Sequence, residues 1–299
     1  MSSKSENKVI RVGWLNTFTE SGYVSEPLLK TDILAKNGIE GKFTSFLTGP
    51  PAAEAAASNN LDVILMGWAP NSFLLEKDPN WVVVGKFAYF DECLVAKANS
   101  GIKKVADLNG KKFGVPFGSG PFIVVYQELA KANLIPNKDV TIVNISPTDF
   151  ASALSANQVD AVGWDKGITV SLVSKGIAQE IVCVKDYAII TMSKEFIQKN
   201  PHTAQAFVES IKESSLYFSQ HKNEVYGWVA ADAKMDLNMV AKIAYSEPNF
   251  DANNLSQVNL ALSQNDIADL QSRVDFAKEQ GILKVGFDFN SKVDASLIK

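Results

Sequence analysis

The sequence predicts an α/β protein made of two similar lobes followed by a helical tail. Three observations carry this reading. Short β-rich runs alternate with helical patterns through the first two thirds of the chain, the alternation restarts once after Asn109-Gly110, and a short motif occurs once in each half. The motif is Asn59-Asn60-Leu61-Asp62-Val63 in the first unit and Asn157-Gln158-Val159-Asp160-Ala161 in the second. Alternation of this kind implies βαβ crossovers and a mainly parallel sheet covered by helices on both faces.

In the first unit, Val9 to Leu15 reads as a strand and Tyr23 to Lys36 as a helix stopped at Asn37-Gly38. Lys42 to Leu47 is a second strand, Pro51 to Ser58 an alanine-rich helix, and Leu61 to Trp68 a third strand. Trp81 to Phe87 and Cys93 to Lys97 add two extended runs. Ala106 to Gly110 is a short helix ended by glycine.

The second unit repeats this order. Lys112 to Val115, Val140 to Ile145 and Val159 to Trp164 read as strands, separated by helices at Phe122 to Asn133 and Thr148 to Ala156. Val125, Leu129 and Ala132 give the first of these helices an apolar face, and Pro121 suits its opening turn. Each recurring motif is followed by a Gly-Trp pair, Gly67-Trp68 and Gly163-Trp164. Two facing copies would frame a cleft.

Beyond Tyr187 the pattern becomes mostly helical. Asn200-Pro201 opens a helix with Ala204, Phe207, Val208 and Ile211 on one face, and Asp236 opens another with Leu237, Val240, Ala241 and Ala244. Ser263 and Asp266 form a capping box for a helix that Gly281 ends.

Composition narrows the function. The 299 residues are 46% hydrophobic and 21% charged with a net charge of −4, which excludes disorder and disfavours a nucleic-acid surface. Arg11 and Arg273 are the only arginines, so a bound anion would meet lysines or backbone N–H groups more often than a guanidinium fork. No apolar run approaches the ~18 residues of a membrane span. Cys93 and Cys183 stand ninety residues apart with no metal-type spacing; two buried thiols are the favoured reading and a single disulfide the other. His202 and His221 lie in the tail away from any cysteine, so no metal site is expected. No GxSxG elbow, HExxH helix or Cys/His pairing marks an enzyme, and Gly118-Ser119-Gly120 has neither Walker A nor dinucleotide spacing. No catalytic residue and no cofactor is assigned.

Four segments then carry a family resemblance: Ile10-Arg11-Val12-Gly13-Trp14, Leu61 to Gly67, Val105 to Val115, and Asp275 to Gly281. They resemble the solute-binding proteins of ABC importers, within the branch that handles taurine, alkanesulfonates, nitrate and thiamine pyrimidine precursors. The resemblance implies a two-lobed, periplasmic binding protein-like II fold with a hinge and C-terminal helices. Lobe one would comprise residues 1–107 and 187–299, and lobe two residues 108–186. It also implies a small-molecule ligand, a transmembrane ABC permease as partner, a monomeric protein and a periplasmic or extracytoplasmic location. The N-terminal segment Met1 to Lys8 has charge but no apolar stretch of the leader type, which is expected either of a cytosolic protein or of a secreted one whose leader has been removed.

Ligands of open parallel sheets collect at the carboxyl ends of strands, beside helix N-termini. Trp14 and Asn16 end the first strand, Thr48 and Gly49 the second, and Trp68 the third, while Gly118, Ser119 and Gly120 follow the first strand of the second unit. The glycines permit close backbone approach and the serine adds a hydroxyl, although the same composition also makes a plain turn. Trp14, Trp68 and Trp164 either shape the cleft or pack against helices, whereas Trp81 and Trp228 read as core. Asp165 could face an amine, with Asp91 and Glu20 as looser candidates. The favoured ligand is a small zwitterion or polar organic anion of the taurine and sulfonate type; an aromatic amine or pyrimidine precursor comes next, and an enzyme on the same fold last.

Overall fold

The computed structural model describes residues 8–241, 243 and 247–298. The chain begins with β1 (Val9–Leu15), α1 (Thr19–Lys30), α2 (Ile33–Lys36), β2 (Glu40–Phe46), α3 (Gly49–Ala57), β3 (Val63–Gly67) and α4 (Trp68–Lys77). A long β4 (Trp81–Lys97) leads into β5 (Lys112–Val115), α5 (Gly120–Lys131), β6 (Thr141–Asn144), α6 (Phe150–Ser155), β7 (Ala161–Asp165) and α7 (Lys166–Ser174). β8 (Ala178–Ser193) runs back, followed by α8 (Lys194–Lys199), α9 (Pro201–Gln220), α10 (Lys222–Asp232), α11 (Leu237–Val240) and α12 (Gln264–Glu279).

The strands form one eight-stranded sheet in the order β2-β1-β3-β8-β4-β7-β5-β6. β1 pairs in parallel with β2 and β3, and β5 pairs in parallel with β6 and β7. Between these blocks lie β8 and β4, antiparallel to each other and to the strands they border. The order reads the same from either edge, with the first-entered strand central in each block. The α/β fold with two similar halves is therefore a property of the whole sheet.

Burial explains the strand sequences. β3 is Val-Ile-Leu-Met-Gly with every residue buried, as expected of a strand covered on both faces. Apolar residues sort into a large cluster built mainly from residues 10–90 and 187–297 and two smaller ones within residues 94–178. Leu94 and Ala96 of β4 pack with Phe113, Val115 and Leu129. β4 and β8 are the two strands that cross between the halves.

The recurring motif is a structural clasp. Asp62 donates its N–H to Arg11 O at 2.8 Å, and its Oδ2 accepts from Arg11 N at 2.8 Å; Asp160 makes the same pair with Lys112, each bond 2.8 Å. Asn59 and Asn157 both turn the chain with φ 57°. The Gly-Trp pairs, however, do not correspond: Trp68 opens α4, whereas Trp164 lies inside β7. Position for position, Gly67 matches Asp165, each being the residue before a helix.

Other expectations need correction. Trp81–Lys97 is one strand and not two runs, and the helix expected over Tyr23–Lys36 divides at Thr31, whose hydroxyl bonds Pro27 O at 2.6 Å. β8, α4 and α7 had no counterpart in the sequence reading. The segment after Tyr187 therefore begins as strand, not helix. Of the face proposed after Asp236, Ala244 lies outside the described residues. The capping box holds, with Ser263 and Asp266 exchanging bonds of 3.1 and 2.8 Å.

The cysteines also differ from the favoured expectation of two free thiols. Cys93 and Cys183 are directly opposite in the β4–β8 register and form a disulfide, with Cα atoms 4.1 Å apart. Their separation along the chain hid a contact that only the antiparallel pairing creates. The bond joins the two crossing strands to each other and does not pin one half to the other.

Candidate functional site

The carboxyl ends of β1, β3 and β7 meet the N-termini of α3 and α5 where the halves face one another. A cavity of about 30 Å³ lies there, lined by Leu15, Phe18, Gly49, Gly67, Pro70, Phe90, Glu92, Ser119, Gly120, Pro121, Trp164 and Asp165. Outside it, sharing Pro70, a groove of about 540 Å³ runs between Pro50 and Phe73 on one side and Phe117 and Phe122 on the other. The cavity holds about one water in volume.

Of the residues expected at the site, Gly49, Ser119, Gly120, Trp164 and Asp165 line this cavity. Trp14 and Trp68 are buried in the core of the first half, with the Arg273 guanidinium 6.0 Å from the Trp68 ring. Asn16 and Thr48 are half-buried beside it, and Gly118 makes the turn before α5 with φ 78°, against Pro50 of the other half. Ser119 Oγ is spent on Pro116 O at 2.6 Å. Gly120 is required by close approach: a β-carbon there would overlap Glu92 Oε1 and stand 3.4 Å from Asp186 Oδ2.

The halves are joined by polar contacts. Asp165 Oδ2 accepts from Thr19 N at 3.2 Å and from Thr19 Oγ1 at 2.9 Å, and it also accepts from Gly167 N at 3.3 Å. Trp164 Nε1 donates to Thr17 O at 3.1 Å. Asp165 thus caps α7 and reaches α1 with the same oxygen.

Sequence reasoning missed the dominant feature, a set of buried carboxyl groups. Glu20, Glu92, Asp165 and Asp186 are all at least nine-tenths buried. Burial raises the Asp165 carboxyl to about 6, against hydrogen bonds from Thr19 that pull it down. Asp186 is raised to about 6, again by burial and against the attraction of Arg273. Burial pushes Glu20 well above the usual carboxylate range, with Asp165 adding repulsion. Glu92 is pushed the same way by burial and then by Asp186, Asp165 and Glu20. Glu20 is a loose candidate from the sequence, whereas Glu92 and Asp186 carry no signal there, because each reads as an ordinary solvated acid until β4 and β8 pair. Asp91, the other loose candidate, pairs with Lys166 at 2.8 Å.

Such a site offers acceptors. It can hold N–H donors and cations, and its rings supply flat apolar faces.

Comparison with known proteins follows from this geometry. Residues 68–225 match the profile of the family described as NMT1/THI5 like. A Bacillus subtilis (strain 168) protein named for the binding of aliphatic sulfonates is 24% identical, the match covering 98% of this chain and 87% of that protein. Among solved structures, the alkanesulfonate-binding protein SsuA from Xanthomonas axonopodis pv. citri, bound to MOPS, superposes with TM-score 0.78 at 18% identity, covering 97% of this chain and 99% of that one. The periplasmic nitrate-binding protein NrtA from Synechocystis PCC 6803 gives TM-score 0.76 at 13% identity, covering 98% and 87%. The shared fold is the two-lobed periplasmic-binding fold.

Proposed function

We infer that this chain, which belongs to the NMT1/THI5-like family, is a solute-binding protein that captures a small polar organic molecule between its two halves and hands it to an ABC permease. The observation that carries this reading is the cavity at the junction of two mirrored strand blocks, closed over by the Thr19–Asp165 contact. Relatives named as binding proteins support it.

We place the boundary of the lobes, expected at residues 107 and 187, at Phe90–Asp91 in β4 and Lys185–Asp186 in β8. Apolar packing changes sides there. Bending of these two strands would part the halves and admit ligand, a hinge motion of the ordinary kind. The disulfide agrees with an extracytoplasmic location, since such bonds persist in oxidising compartments. A monomer suffices for this mode of action.

The taurine-like ligand expected from the sequence is supported in one of its ends. Asp165 is positioned to receive an ammonium group. The N-terminus of α5, assigned to the sulfonate, is crowded by Glu92 and Asp186 at Gly120, which repels an anion. Recognition through nitrogen is the end the geometry favours.

Small-angle scattering tests the function. The radius of gyration should fall when a bound solute from a panel of amines, zwitterions and sulfonates is saturating. A radius unchanged by every solute that binds in calorimetry would overturn capture by closure.

A further inference from the structure

The cations nearest the cleft are already engaged. Arg273 pairs with Asp186 at 3.1 Å and Asp269 at 2.9 Å, and Lys166 pairs with Asp91 at 2.8 Å. Among the described residues, Glu20, Glu92 and Asp165 have no ion-pair partner. Both Glu20 oxygens, Glu92 Oε2, Asp165 Oδ1 and Asp186 Oδ2 are buried and accept no hydrogen bond. Burying acceptors without donors is costly, and more so when they are charged. These groups come from α1, β4, β7 and β8, so no single turn or cap accounts for them, and Glu92 and Asp165 line the cavity itself.

Resting on the solute-binding reading above, we propose that the solute selected by this cleft is a small organic cation with several N–H donors, an ammonium, amidinium or guanidinium, held by Glu92 and Asp165 with Glu20 and Asp186 behind them. Three features select this class. An anion would meet unpaired carboxylates at close range in a poorly screened interior, where like charges repel most strongly. A quaternary ammonium would leave the orphaned oxygens without hydrogens, whereas N–H groups satisfy them. A bare metal ion needs ligand atoms gathered tightly, and among the described residues the trio of such side chains within 4.8 Å is Cys93, Glu180 and Cys183, two of which form the disulfide. The cleft carboxylates are spread instead, as an organic cation with several donors requires. Phe18, Phe90 and Trp164 supply ring faces for a planar cation.

The test uses the full chain with benzamidine, agmatine and putrescine as cationic probes and propanesulfonate and nitrate as anionic ones, by calorimetry and thermal shift. At least one cation should bind, and neither anion should come within tenfold of it. Glu92→Gln should weaken that cation at least tenfold without lowering the unfolding temperature, because glutamine removes a like charge from the cluster. Should that variant fail to fold, Asp165→Asn gives the same reading. Propanesulfonate or nitrate binding as tightly as the best cation would overturn the proposal and leave solute capture standing, as would a folded variant that binds the cation unchanged. No binding of any probe would overturn both.

Discussion

The Thr19 hydroxyl donates to Asp165 Oδ2 at 2.9 Å, joining residues 146 positions apart and belonging to different halves. The backbone N–H of Thr19 reaches the same oxygen at 3.2 Å. This oxygen is therefore shared between joining the halves and capping α7. Its partner, Oδ1, is buried and accepts no hydrogen bond.

Thr19→Val removes one of these bonds and keeps nearly the same shape. A hydrogen bond to a charged group contributes about 1.5 kcal/mol, so the closed form should lose stability by that order and bound solute should be held about tenfold more weakly. Calorimetry on the variant checks this. Unchanged affinity would remove Thr19 from the closing contact.

Gly167→Ala should act more strongly. A β-carbon there would overlap Thr19 Oγ1 and lie 3.1 Å from Asp165 Oδ2, so the halves could not meet as they do. Scattering should then give a radius of gyration that no longer falls with solute, while circular dichroism stays that of the parent. A variant that closes normally would show that Thr19 can move aside.

The raised carboxyl groups set a pH dependence. Asp165 and Asp186, at about 6 in the native state against an ordinary 3.8, hold protons more tightly when folded than when unfolded. The contribution of each of these two groups to stability without ligand therefore falls as pH rises from about 4 to about 6 and levels off above, by something on the order of 3 kcal/mol. Glu20, Glu92, Asp91, Asp269, Lys166 and Arg273 surround them, and the two glutamates push in the same direction. Asp165→Asn should be more stable than the parent at pH 7.5 and equal to it at pH 4 in urea unfolding. The opposite order would mean that Asp165 is stabilised as a carboxylate.

The disulfide gives a chemical prediction. Alkylation after denaturation without reductant should add no mass at Cys93 or Cys183. Reduction should lower unfolding stability by about 2 to 4 kcal/mol, because the bond closes a long loop of the unfolded chain. Two alkylated thiols in unreduced protein would show that the strands pair without the bond.

The sequence by itself determined the local pattern and its repetition. Apolar runs such as Val63 to Met66 can only be interior strand, the Ser263–Asp266 box opens a helix from bonds made within four residues, and the echo of Asn59–Val63 in Asn157–Ala161 foretold two alike halves because each copy makes the same clasp to the strand that opens its unit. Asp165 and Gly120 were also legible, since a strand's carboxyl end beside a helix start is a local event. The tertiary structure alone decided what depends on register and burial. β8 is mostly half-exposed from Gln179 to Lys185 and carries no clear strand period there, and its pairing with β4 brings Cys93 onto Cys183. Glu20, Glu92 and Asp186 look like ordinary solvated acids one by one. Gathered from α1, β4 and β8 into one buried junction, they raise one another's proton affinity, because the cost of a buried charge depends on its neighbours in space and not on its neighbours in sequence.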